Sequence, residues 1–144
     1  MGITGHYEPL ILVDCIKRFN FDALLMALNE AAVHYLSFKE SLLPEAQKQG
    51  IATIGMKVAT RGRMISSWPP PPLDDQPERM RTSLPGTITI KEALNYNMAL
   101  PVSTTILGGD NLEQIEENMK IASQFSPLSS QEMQALEFKT LPIV

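Results

Sequence analysis

The chain has 144 residues, enough for one domain with a real core, and its 44% hydrophobic content is that of a globular protein. Its net charge of −4, a pI of about 5.1 and the lack of any basic tract argue against nucleic-acid binding. No apolar run reaches the length of a membrane span, the N-terminus shows no signal-peptide pattern, and a single cysteine, Cys15, excludes an internal disulfide, so the expected setting is reducing and cytoplasmic.

Strands and helices alternate along the chain, the pattern of βαβ units around a parallel sheet. A very short first strand is expected at residues 2–4. Residues 8–19 follow as a helix, with Leu10, Val13 and Ile16 at helical spacing, Pro9 in its first turn and Cys15 as a small core residue. Residues 21–28 read as the second strand. The next helix covers residues 35–49 and closes on Gly50 as C-cap, with Pro44 expected to kink it or mark a restart. Residues 51–56 are the third strand.

Residues 59–86 are the least regular stretch. Pro69, Pro70, Pro71 and Pro72 favour an extended polyproline form, and Asp74, Asp75 and Glu78 alternate with Arg79 and Arg81. The stretch reads as a long surface loop above the C-terminal ends of the strands, either carrying binding groups or serving as an insertion without a role. Trp68 at its edge reads as a packing anchor. A helix over residues 87–100 is stopped by Pro101. The fourth strand spans residues 102–107, its β-branched run fitting a buried parallel strand. A helix over residues 110–125 follows, and the last helix starts with Ser129 as N-cap and Glu132 at the capping-box position.

The most informative unit is residues 102–118. After the β-branched strand come Gly108 and Gly109, then Asp110 as N-cap with Glu113 as its capping-box partner. A strand, a glycine turn and a helix N-terminus form a place where free backbone N–H groups meet a phosphate; the same glycines also serve as a tight turn that lets strand and helix pack. His6 sits at a strand end and His34 stands alone. With Cys15 distant from both in the pattern, no zinc-type cluster is expected. Neither a nucleophile elbow nor a phosphate-loop Gly-Lys-Ser/Thr signature is present.

The wording of these units resembles the C-terminal half of the aldo-keto reductases. Residues 113–118, Glu-Gln-Ile-Glu-Glu-Asn, match the family's closing helix. Residues 2–6 look like its fifth barrel strand, residues 21–29 its sixth, and residues 42–51 with 54–57 its following helix and seventh strand. The resemblance runs from residue 2 to about residue 138 in the family's order. It implies an α/β fold, half of a TIM barrel, with about four βα units plus a C-terminal helix. Residues 1–144 would form one such half-barrel domain carrying the proline-rich loop. A complete (β/α)8 barrel needs about 250 residues, so the first half of the barrel lies outside this sequence.

What the resemblance implies about function follows residue by residue. The family's catalytic tyrosine, lysine, aspartate and histidine come from the first half of the barrel, so no catalytic residue and no metal ligand is assigned. The second half holds the cofactor, NADP or NAD. Thr4 keeps the hydroxyl that the family offers to the nicotinamide carboxamide, while Gly5 and Leu25 replace an asparagine and a glutamine. Met56 takes the place of a tyrosine that stacks on the nicotinamide ring, and Lys57 falls near the pyrophosphate. Gly108 and Gly109 match the start of the adenosine-phosphate loop. Gln114 stands for the arginine that grips the 2′-phosphate, and Glu117 and Asn118 match the adenine contacts. The missing cations, with Asp110 nearby, imply weak preference for NADP. Two readings follow. In one, the chain is the cofactor-binding half of a carbonyl/alcohol oxidoreductase, inactive alone: either a C-terminal fragment of a longer reductase or one half of a split barrel completed by an N-terminal half-barrel partner. In the other, it is a non-catalytic half barrel that forms a homodimer and binds a nucleotide or other phosphate ligand.

Overall fold

The computed structural model describes residues 1–78 and 81–143; Arg79 of the charged loop lies outside them. Four parallel strands, β1 (Gly2–Gly5), β2 (Ala23–Ala27), β3 (Ala52–Met56) and β4 (Thr104–Thr105), form a sheet in sequential order. The helices α1 (Pro9–Arg18), α2 (Phe38–Lys48), α3 (Ile90–Ala99), α4 (Leu112–Ser123) and α5 (Ser130–Thr140) make the connections and the C-terminal end. This is the alternating βα order expected from the sequence.

Register explains which side of the sheet is covered. Leu24 and Met26 of β2 and Thr53 and Gly55 of β3 are buried against the helices. Leu12, Val13 and Ile16 of α1 and Leu42, Leu43 and Ala46 of α2 complete that core, with Tyr96 of α3 and Leu136 of α5. The opposite face is less covered. One row across it is Thr4, Leu25, Ile54 and Thr104, aligned by strand pairing, and the next row toward the strand C-termini includes Ala27 and Met56. Parallel strands bury both faces in stable folds, so this face is unfinished in the single chain.

Several helix ends follow local chemistry. Pro9 occupies the first turn of α1. Ser37 caps α2 by accepting from the Glu40 N–H, and Gly50 just beyond that helix adopts a left-handed φ of 69°. Ser129 and Glu132 form the expected capping box on α5, and Thr89 and Glu92 form a second one on α3.

Five expectations are corrected. α2 does not restart at Pro44 but runs on through it to Lys48; the buried Leu42, Leu43 and Ala46 around it hold the helix against the sheet, and packing outweighs one lost backbone hydrogen bond. Leu10 is 64% exposed and lies off the buried face of α1, while Cys15 is half-buried instead of a core residue. The fourth strand pairs only through Thr104–Thr105 and lies at the sheet edge, so it is not buried; hydrogen bonds from the Ser103 N–H to Thr53 O and from the Ile106 N–H to Gly55 O, each 2.8 Å, extend its contact with β3. Asp110 does not cap α4. Asn111 does, accepting from the Gln114 N–H at 2.9 Å, and Gln114 Oε1 in turn accepts from the Asp110 N–H at 2.8 Å.

The long loop is more built than its composition suggests. Val58, Met64, Ile65, Ile88 and Ala93 form a second small core, with Trp68 packed against it as an anchor. Ile65 bridges to Ile88, and Gly86 lies so close to the chain opposite that an added Cβ would meet Met64 C at 2.1 Å. Among the described residues no helix is long and apolar enough to cross a membrane.

Candidate functional site

The C-terminal ends of parallel strands carry the loops in which α/β folds place their ligands. Here the segments after β1, β2 and β3 surround a hollow of about 360 Å³ lined by His6, Ala27, Asn29, Lys57, Thr60 and Arg61. Its lining includes three cationic or protonatable side chains and no carboxylate. Lys57, Thr60, Arg61 and Gly62 all have left-handed φ, at 65°, 47°, 58° and 84°. These residues curl the chain tightly at the mouth, where the Thr60 N–H donates back to the Lys57 carbonyl at 3.1 Å.

Asn29 ties this mouth together. Its Nδ2 donates to the Lys57 carbonyl at 3.1 Å and to Thr60 Oγ1 at 3.5 Å, while its Oδ1 accepts from the Ala32 N–H at 2.8 Å. The loop after β2 therefore holds the loop after β3 in its strained shape. Sequence reasoning named His6 and Lys57 but missed Asn29, Thr60 and Arg61. Asn29 followed directly on a strand end and was findable there; Arg61 was hidden in a loop without pattern.

The remaining candidate residues lie in two other places. Thr4 and Met56 are on the less covered sheet face, Thr4 in the same row as Leu25 and Met56 next to the mouth. Gly5 faces Leu12 in the helix layer. Gly108 and Gly109 precede α4, and neither has a left-handed φ, so the turn there does not depend on glycine for its backbone shape. Gln114 is engaged with the Asp110 backbone, Glu117 is exposed, and Asn118 lines a groove of about 490 Å³ between α3, β4 and α4. Thus Lys57 and His6 converge, while Gln114, Glu117 and Asn118 sit on a separate helix at the sheet edge.

A polar cluster behind the mouth was not foreseen. Glu30, next to Asn29, is fully buried, and neither carboxyl oxygen has a hydrogen-bond partner among the described residues. Burial pushes its carboxyl up to about 9, with Glu92 and Glu137 adding to the rise. Tyr96 Oη and Lys39 Nζ both donate to Glu137 Oε1 at 2.6 Å, and burial together with Glu137 raises the Tyr96 phenol above its usual range. His34, far from isolated, has Nε2 2.8 Å from the Glu137 carbonyl oxygen, which only accepts, so Nε2 carries the proton. This cluster fastens α5 to α2, α3 and the loop after β2. Among the described residues no group of three or more metal-ligating side chains occurs.

No protein-family model matches the chain, and no curated protein matches it. Solved structures do. An aldo-keto reductase from Bacillus halodurans in its holo form superposes with a TM-score of 0.67 at 22% identity, and its apo form with 0.64 at 21%. The glycerol dehydrogenase of Gluconobacter oxydans gives a TM-score of 0.67 at 14% identity. Each superposition takes in 99% of this chain but only 50%, 51% and 50% of the other, so the chain spans about half the length of these structures. The fold is half of a (β/α)8 barrel. More particularly, it is the fold of half an aldo-keto reductase barrel, as the sequence resemblance implied.

Proposed function

We propose that the chain is a nicotinamide-nucleotide-binding half barrel, the cofactor-binding half of a carbonyl/alcohol oxidoreductase. The observation that carries this reading is the hollow at the ends of β1, β2 and β3. Lys57, Arg61 and His6 surround it with no carboxylate in its lining, on a protein of net negative charge. These residues fit the pyrophosphate of a dinucleotide: Lys57 and Arg61 supply charge on the lining of the hollow. Thr4 and Met56 would then face the nicotinamide end, and Gly108, Gly109, Gln114, Glu117 and Asn118 the adenosine end. When bound, the nucleotide supplies a hydride to a carbonyl or accepts one from an alcohol.

The chain's own residues bind and orient; they do not move the proton that carbonyl reduction needs. In this reading residues 1–144 act as one domain, with the proline-rich loop flanking the mouth, and the proton donor comes from a second half barrel. Gln114, held on the Asp110 backbone, leaves no cation for a 2′-phosphate at that position, so NAD and NADP bind with similar affinity. The single Cys15 fits a cytoplasmic setting.

The test is equilibrium binding of NADH and NADPH followed by nucleotide fluorescence. Lys57→Ala and Arg61→Ala should each weaken binding about tenfold, as expected for a lost charge-assisted contact. Absence of binding by the unaltered chain would overturn the nucleotide reading. If inorganic pyrophosphate binds and neither nucleotide does, the second reading holds: a non-catalytic half barrel for a simpler phosphate ligand, favoured by Leu25 and Gly5 where the carboxamide partners are missing.

A further inference from the structure

One residue of the hollow brings it no charge and yet fixes its shape. The pairing of β2 with β3 ends at Ala27 and Met56, and just beyond it the Leu28 N–H still donates to the Met56 carbonyl at 2.9 Å. The next carbonyl along the chain, Lys57 O, lies past the paired residues. There the Asn29 side chain takes over from the backbone, its Nδ2 donating to Lys57 O at 3.1 Å. The Thr60 N–H donates to the same oxygen at 3.1 Å, and Thr60 Oγ1 stands 3.3 Å from it. This one carbonyl therefore joins the loop after β2 to both ends of the tight curl after β3.

The curl needs such a fastening. Lys57, Thr60 and Arg61 all have left-handed φ, which residues with a Cβ adopt only where their surroundings enforce it. On the inner side Val58 and Met64 hold the segment, both buried in the second small core. On the side of the hollow Asn29 holds it. Asn29 is buried, whereas Lys57 and Arg61 are exposed. It is also fixed from behind: its Oδ1 accepts from the Ala32 N–H at 2.8 Å at the start of the turn over Ala32–His34, and His34 Nε2 lies 2.8 Å from the Glu137 carbonyl oxygen of α5.

We propose that Asn29 is a positioning residue of the hollow. By holding the Lys57 carbonyl it sets where Lys57 and Arg61 stand, and through those two cations it sets how tightly a diphosphate binds. Two flexible cations held in place before the ligand arrives lose less freedom on binding than two that must be gathered. The inference rests on the reading of the hollow as an anion site and adds the residue that keeps this site in shape.

Titration calorimetry with inorganic pyrophosphate, at fixed pH and ionic strength, tests it on the 144-residue chain. Asn29→Ser keeps a short acceptor for the Ala32 N–H but cannot reach Lys57 O. It should weaken pyrophosphate binding about tenfold, with helix content by circular dichroism unchanged. In a Lys57→Ala background the same change should cost only about threefold, because one of the groups it places is gone. A residue that merely supports the fold would cost the same in both backgrounds. A measurement without substitutions is nuclear magnetic resonance of the unaltered chain, in which pyrophosphate should shift the Asn29 side-chain amide and the Lys57 and Thr60 amides with one midpoint. If Lys57→Ala weakens binding while Asn29→Ser does not, if Asn29→Ser costs as much in both backgrounds, or if the Asn29 amide stays unmoved, the positioning role is overturned and the anion site stands. If the unaltered chain binds no pyrophosphate, the anion site itself is overturned, and this role with it.

Discussion

Glu30 illustrates how a single side chain sets a pH dependence. Unfolded, its carboxyl ionises near 4.5; folded, burial lifts it to about 9 and it keeps its proton. Between these values the unfolded chain binds fewer protons than the folded one, so stability falls as pH rises and levels off above about 9. At pH 7 the penalty from this group is roughly 3 kcal/mol. Glu30→Gln removes the titration, and urea unfolding should show its gain over the parent growing from about pH 5 to about pH 9. A constant difference across that range would refute the assignment. Gly86 makes the opposite case: a methyl there meets backbone atoms, Met64 C at 2.1 Å and Ile65 N at 2.4 Å, which cannot rotate away. Gly86→Ala should lower unfolding stability by more than about 2 kcal/mol. Neither effect was legible in the sequence, because a glutamate after a strand and a glycine in a loop look ordinary until their neighbours are known.

At the scale of elements, helix ends were the most legible features, and their errors are instructive. Ser129 with Glu132 reads directly as a capping box. Thr89 with Glu92 has the same spacing but lies inside the expected helix over residues 87–100, which starts three residues ahead of the observed Ile90. Asp110 and Asn111 are adjacent cap formers, and only the phase of α4, set by its contact with α3, decides that Asn111 takes the role. Thr89→Ala should cost about 1 kcal/mol of global stability, measured by denaturant unfolding, since α3 carries the buried Tyr96 and Leu94. Asn111→Ala should instead raise amide exchange locally in α4, whose one buried residue is Ile121, with little change in the global midpoint.

At the scale of the molecule, the fold matches half of a known barrel and the site is correspondingly partial. The mouth lined by Lys57, Arg61 and His6 has a composition suited to an anion, and in the proposed reading the proton donor comes from a second half barrel. The purified chain should therefore leave NADPH unoxidised in the presence of an aldehyde. Turnover by this chain alone, followed by nucleotide absorbance, would contradict the division of labour proposed above.

The sequence by itself determined the alternation of strands and helices, the parallel sheet, the capping box of Ser129 and Glu132 and the resemblance to half of a barrel. These depend on residues near one another in the chain, on periodicity, glycines and cap chemistry. Only the tertiary structure decided that the fourth strand is an edge, that Leu10 and Ile11 are uncovered, that Glu30 is buried without a partner, and that Lys57, Arg61 and His6 share one hollow. Each of these depends on contacts between residues far apart in sequence, and local pattern carries no record of which neighbours a folded chain brings together or leaves out.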